Sequence, residues 1–198
     1  PSNRMAIFSP LSRAQFCNIF GLDPERKIIL FASQPLDSQV EMRAGQQLQR
    51  NAISDLVTVA NEIDAQLLLR LPPNKMNILD DTFQAHLAKF GGAIDDGAYY
   101  SVPPEEAIFH SAAVTSINST MLFEALLMNR PSLSLKYFEF DQIWTQAGIP
   151  AVTDIGNLRM QLPTLLSDSW RRSEEGLRWA ADMFGVGVFD GKAADRIK

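Results

Sequence analysis

AAVTSINSTMLFEALLMNRPSLSLK, residues 112–136, is the stretch on which the fold turns. An apolar run from Ala112 to Ile117 ends in Asn118-Ser119-Thr120, and a helix-like segment over 120–129 starts at once. That segment carries one acid, Glu124, and stops at Asn129-Arg130-Pro131 before a second short apolar run at 132–135. A strand feeding a helix through a small polar turn gathers unbonded backbone N–H groups and the positive helix end at one spot, which suits an anion and phosphate above all. Ser119 and Thr120 stand where N-cap hydroxyls are favoured. Glu124 follows Thr120 by four residues and shares its helix face. An acid so placed can accept hydrogen bonds from two vicinal ribose hydroxyls while the helix start holds phosphates. The same local pattern equally describes a plain helix cap followed by a solvated acid.

Outward from this stretch, strand-like and helix-like blocks alternate. Ile28-Ile29-Leu30-Phe31-Ala32 is a β-rich run ending in Ser33-Gln34-Pro35. Residues 45–62 place Leu48, Ala52, Ile53, Leu56, Val59 and Ala60 at helical steps. Leu67-Leu68-Leu69 reads as a second strand stopped by Pro72-Pro73, and 79–90 as a shorter helix ended by Gly91-Gly92. Ala93-Ile94 is a weak third strand, and Pro104-Glu105-Glu106 opens a helix, since proline and acids favour a first turn. After the 132–135 strand the pattern predicts a short helix near 139–147, a weak strand at 150–152, a helix at 155–167 and a last helix over about 169–184. Continuous apolar strands alternating with helices predict an α/β, doubly wound, Rossmann-like parallel sheet with helices on both faces. Ligands of such sheets bind beyond the carboxyl ends of the strands. Those ends carry Gln34, Arg70, the Tyr99–Val102 loop with Tyr100, Asn118, Ser119, Thr120 and Lys136.

Several chemistries find no support. A net charge of -5 argues against general affinity for nucleic acid. Two histidines, His86 and His110, and one cysteine, Cys17, lack the spacing of a zinc site, and no metal or other cofactor is expected. The glycine-rich phosphate signatures and the nucleophile-elbow pattern of hydrolases are absent from the sequence. No apolar run approaches the ~20 residues that span a bilayer. Cys17 reads as a small buried side chain in a reducing, cytoplasmic setting. The opening at Pro1-Ser2-Asn3, without an initiator methionine, leads us to expect a piece of a longer protein.

Four pieces in order resemble the C-terminal half of GT-B glycosyltransferases, above all those of bacterial capsule and surface-polysaccharide biosynthesis. The likeness extends to the UDP-N-acetylglucosamine 2-epimerases that share the fold. The pieces are Gly21-Leu22-Asp23-Pro24 with Lys27–Ala32, Leu67–Pro72, Val114–Thr120 with Phe123-Glu124-Ala125-Leu126 and Arg130-Pro131, and Phe189-Asp190-Gly191-Lys192-Ala193-Ala194-Asp195-Arg196-Ile197. The resemblance implies a leading segment over 1–25, from a preceding domain or linker, and a nucleotide-sugar-binding domain over 26–198. It implies that Ser119 and Thr120 contact the donor's phosphates and Glu124 its ribose, and that the Tyr100–Val102 loop lies near the base. Gln34, Arg70 and Asn118 complete the expected site. Asp141-Gln142 resembles a pair that meets the donor sugar in some relatives.

Leu71 departs from the pattern, standing where many relatives have histidine. The family's acceptor site and catalytic base belong to an N-terminal half that this chain lacks, so the fragment is expected to bind a donor and catalyse little alone. The expected catalytic residues are therefore unknown. Expected partners are the nucleotide-sugar donor and that missing acceptor domain. The resemblance also implies a cytoplasmic enzyme associated peripherally with the inner face of the membrane. A sugar-nucleotide epimerase and a non-catalytic binding or scaffold module are the alternatives.

Overall fold

A computed structural model of the chain describes residues 10–36, 38–72, 80–96 and 100–184. The helices are α1 (Arg13–Phe20), α2 (Met42–Glu62), α3 (Asp81–Lys89), α4 (Pro104–His110), α5 (Met121–Leu127), α6 (Ile155–Leu165) and α7 (Glu174–Phe184). The strands are β1 (Lys27–Ala32), β2 (Ala65–Arg70), β3 (Ala93–Asp95), β4 (Ala113–Ser116), β5 (Ser132–Leu135) and β6 (Ala151–Val152). They pair as one six-stranded sheet in the order β3-β2-β1-β4-β5-β6, with every pair parallel. This is the doubly wound α/β sheet that the apolar runs predict.

β1 shows why the sheet is parallel and covered twice. Ile28 through Phe31 are all fully buried, and successive side chains of a strand point to opposite faces. Ile29 and Phe31 join one core with Ala52, Ile53 and Leu56 of α2 and Leu158 and Leu162 of α6. Ile28 and Leu30 join the other with Phe16 and Cys17 of α1, Ala107 and Ile108 of α4, and Leu122 and Ala125 of α5. Burying each such side chain contributes about 1.5–3 kcal/mol before entropy is counted.

α1 is the main addition to the sequence reading, which placed its residues in a leading segment. Ser12 and Gln15 form a reciprocal capping box, and Gly21 ends the helix in the left-handed region at φ 67°. Phe16 and Cys17 are 0% and 1% exposed, so this helix is part of the domain's core. Two other expectations shift. No helix forms over 139–147; instead a single tight turn closes at Gly148, with the Ile149 N–H donating to the Trp144 carbonyl at 2.9 Å. α7 starts at Glu174 rather than near 169, because Ser167 and Ser169 engage each other in a local turn and the Ser173 hydroxyl accepts from the Gly176 N–H at 3.0 Å. The Asp-Gly-Lys motif at 190–192 lies outside the described residues. No described helix is long and apolar enough to cross a membrane.

Candidate functional site

The strand order reverses between β1 and β4, whose outgoing helices pack on opposite faces of the sheet. The crevice this opens lies outside the carboxyl ends of those two strands, the usual ligand position in such sheets. Two small hydroxyls bring the strands together there. Thr115 Oγ1 donates to the Leu30 carbonyl at 3.0 Å and Ser116 Oγ to the Ala32 carbonyl at 2.6 Å. The mouth is then formed by Ser33-Gln34 after β1 and Asn118-Ser119-Thr120 after β4.

The β1 side is fixed by a residue that sequence reading missed. Gln49 of α2 is fully buried. Its Oε1 accepts from Ser33 Oγ at 2.7 Å and from the Gln34 N–H at 3.2 Å, while its Nε2 donates to the Gln34 carbonyl at 2.8 Å. The available signal was a polar side chain at a core-facing step between Gly45 and Ala52.

The β4 side carries the turn and α5. Asn118 and Ser119 are half-buried and Thr120 is exposed. Ser119 Oγ accepts from the Met121 N–H at 3.3 Å, whereas the Thr120 hydroxyl makes no capping bond and stays available. α5 ends on Asn129, left-handed at φ 57°, with the Arg130 N–H donating back to the Ala125 carbonyl at 2.8 Å. Glu124, half-buried on α5, accepts no side-chain hydrogen bond among the described residues. Burial pushes its carboxyl above the usual glutamate range, the Glu105 charge pushes it further, and Arg70 opposes.

Arg70 differs from the open cation that a strand-end arginine suggests. It is 3% exposed and forms a buried ion pair with Asp95 of β3. Its Nη1 also donates to the Val102 carbonyl at 3.1 Å, and its guanidinium lies 3.8 Å from the centre of the Tyr100 ring. Asp95 Oδ1 accepts from the Ser101 N–H at 3.2 Å, and the Tyr100 hydroxyl donates to the Leu71 carbonyl at 2.7 Å. Arg70 and Asp95 therefore tie the Tyr100–Val102 loop to the sheet edge. Desolvation lowers the arginine's pKa and raises the aspartate's, each against the pull of its partner. Tyr100 is partly exposed, but the Val102 side chain is packed into the core and only its backbone reaches the network. Lys136, also at a strand end, pairs with Glu139 at 3.0 Å. Gln142 accepts from the Trp144 N–H at 2.7 Å within the tight turn.

His110 sits apart from all this. α4 ends at His110 and β4 begins at Ala113, so the imidazole lies at the amino-terminal edge of the sheet, opposite the crevice. There it pairs with the buried Glu106 at 3.0 Å and stacks on Phe16. Among the described residues no group of three or more His, Cys, Asp or Glu side chains is placed to hold a metal.

No protein-family model and no curated protein matches the chain. Solved structures do. The chain is similar to the wall teichoic acid polymerase TagF (TM-score 0.58, 19% identity, 93% of this chain and 45% of that one). It is also similar to the UDP-GlcNAc 2-epimerase of Methanocaldococcus jannaschii (TM-score 0.56, 12% identity, 93% and 47%). A third match is the E. coli ADP-heptose lipopolysaccharide heptosyltransferase II (TM-score 0.53, 16% identity, 78% and 50%). At these identities the likeness shows the fold, which is that of one half of a GT-B enzyme. The chain spans about half the length of the proteins it matches.

Proposed function

We propose that this domain binds a nucleotide-sugar donor and forms the donor half of a glycosyltransferase of surface-polysaccharide biosynthesis. The observation that carries the reading is the crevice at the reversal of strand order, with the half-buried Glu124, which accepts no side-chain hydrogen bond among the described residues, one turn beyond the exposed Thr120. Ser119, Thr120 and the backbone around them receive the phosphates, while Glu124 accepts the two ribose hydroxyls. Gln34 and Asn118 line the mouth, and the Tyr100–Val102 loop lies beside the base. Since Arg70 is committed to Asp95 and Lys136 to Glu139, the positive field for the phosphates comes mainly from the turn and helix start.

In turnover the same N–H groups stabilise the charge that builds on the leaving phosphate. Catalysis itself requires a second domain, which supplies acceptor and base and closes on the crevice. In the cell the whole enzyme acts at the cytoplasmic face of the membrane. The epimerase alternative gains nothing from His110, which lies at the far edge of the sheet, and on the family resemblance Leu71 stands where many relatives have histidine.

The test is a thermal-shift and calorimetric panel of UMP, UDP, CMP, CDP and GDP on the protein. At least one diphosphate is expected to bind and raise Tm, and Glu124→Ala is expected to weaken it about tenfold or more. No shift with any nucleotide at millimolar concentration favours the scaffold module instead. Unchanged affinity in Glu124→Ala removes the ribose assignment.

A further inference from the structure

Two polar atoms near the Tyr100–Val102 loop are buried without a hydrogen-bond partner among the described residues: Arg70 Nη2 and Glu105 Oε2. Their residues are 3% and 8% exposed. Glu105 lies in the first turn of α4, three residues past Val102, whose carbonyl Arg70 holds. Through the Val102 carbonyl the Arg70 guanidinium is held beside the start of α4, and α4 packs against α5, which carries Glu124. Arg70 Nη1 is spent on Asp95 and Val102, and Asp95 is spent on Arg70 and the Ser101 N–H. Glu105 Oε2 is therefore the acceptor left over, and Arg70 Nη2 the donor left over. A buried polar atom without a partner costs stability, and natural proteins keep few of them.

The chemistry of this pair selects its ligand. Glu105 and Glu124 together repel a phosphate. An ionised carboxylate only accepts hydrogen bonds. If Glu124 holds the ribose, the group extending from the sugar toward α4 and the loop is the base. We propose that Glu105 accepts a hydrogen bond from the exocyclic amine of that base, so that the site takes an amino-bearing base (cytosine, guanine or adenine) in preference to uracil. The proposal rests on the nucleotide-binding reading above and deepens it. Each amino-bearing base sets an NH2 donor next to a ring-nitrogen acceptor (N3 in cytosine and guanine, N1 in adenine), which matches a carboxylate beside a guanidinium. Uracil offers a single N–H between two carbonyl oxygens, and those oxygens face the carboxylate unfavourably. The partly exposed Tyr100 ring, stacked on Arg70, adds an aromatic edge beside the same position.

The experiment is a calorimetric titration of the protein with CDP and UDP, and with GDP and inosine diphosphate, which lacks the 2-amino group. Each amino-bearing ligand is expected to bind about tenfold or more tightly than its counterpart. Glu105→Gln, which supplies an amide donor, is expected to shrink that preference to within about threefold while keeping some nucleotide affinity. The ligand pairs report on the wild-type protein even if the variant fails to fold. Binding of both members of each pair within twofold, or UDP ahead of CDP, overturns the base assignment and leaves nucleotide binding standing. No binding by any of the four overturns both.

Discussion

Gln49 grips Gln34 by both of its backbone polar groups, donating to the carbonyl at 2.8 Å and accepting from the N–H at 3.2 Å. The loop that leaves β1 has no regular ladder partner on that side, so a side chain from α2 takes the place of a strand. Gln49→Leu is nearly isosteric but leaves the Gln34 backbone and the Ser33 hydroxyl with lost bonds in a buried setting. The expected cost is about 1–3 kcal/mol, read as a lower urea midpoint with unchanged slope. On the proposed reading it also weakens nucleotide binding, because the mouth of the crevice is no longer held in shape.

Arg70 and Asp95 make a different kind of bond. Both are fully removed from water, and burial shifts each pKa toward its neutral form despite the partner's charge. Burial works against both charges, and the pair's structural role is to hold the Tyr100–Val102 loop against the sheet edge. Asp95→Leu alone strands a buried cation and is expected to cost about 3–5 kcal/mol. The double variant Arg70→Met with Asp95→Leu is expected to recover most of that loss while nucleotide affinity stays impaired. Urea unfolding of the two singles and the double, with calorimetry on the double, separates the two effects.

How much of this was legible in the sequence depends on the distance over which a contact forms. The strands, and the helix faces packed against them, follow from local periodicity, and Ile28–Phe31 announced themselves as a strand buried on both sides. The Asn118–Thr120 turn was legible for the same reason, since a strand, a turn and a helix are contiguous in the chain. Arg70 was found by its position at a strand end, but its partner was not. Asp95 lies 25 residues away and becomes its neighbour only because β3 docks beside β2. Glu106 and His110 are a contact of another type, four residues apart on one helix, where the spacing was available and the burial was not. Gln49 and Glu105 look like ordinary polar helix residues until the order of the strands decides which helix faces the crevice.

Glu124 gives the site a pH dependence whose sign can be stated. Its carboxyl is raised above the usual range, first by burial and then by Glu105. Two ribose hydroxyls are best accepted by the ionised form, so binding releases a proton from any molecule still protonated. Affinity is then full at pH values above the raised pKa and falls as pH drops through it, at a higher pH than an ordinary glutamate gives. For folding, a raised pKa favours the native state when the group is protonated, and that contribution is lost as pH rises through the native value. Titrations of a diphosphate nucleotide from pH 7.5 down to pH 4.5 are expected to show weakening that Glu124→Gln flattens. An equally steep profile in the variant assigns the titration to another group.

α1 supplies the last prediction, because its core contacts bear on which residues the fold needs. Phe16 is fully buried against Ile28, Leu30 and their neighbours, and its ring stacks on His110 at 4.4 Å. Arg13 donates Nη2 to the Arg26 carbonyl at 2.7 Å and Nη1 to the His110 carbonyl, joining the start of β1 to the end of α4. Phe16→Ala removes a large ring from a packed core and is expected to cost about 3–5 kcal/mol. A chain beginning at Arg26 loses Phe16, Cys17 and Leu22 together and uncovers one whole side of β1. It is expected to unfold at a much lower urea concentration than the full chain, or to aggregate on expression. A chain beginning at Leu11 keeps the capping box and both core residues and is expected to match the full chain in midpoint. If the Arg26 start proves as stable as the Leu11 start, α1 is an appendage and the domain begins at β1.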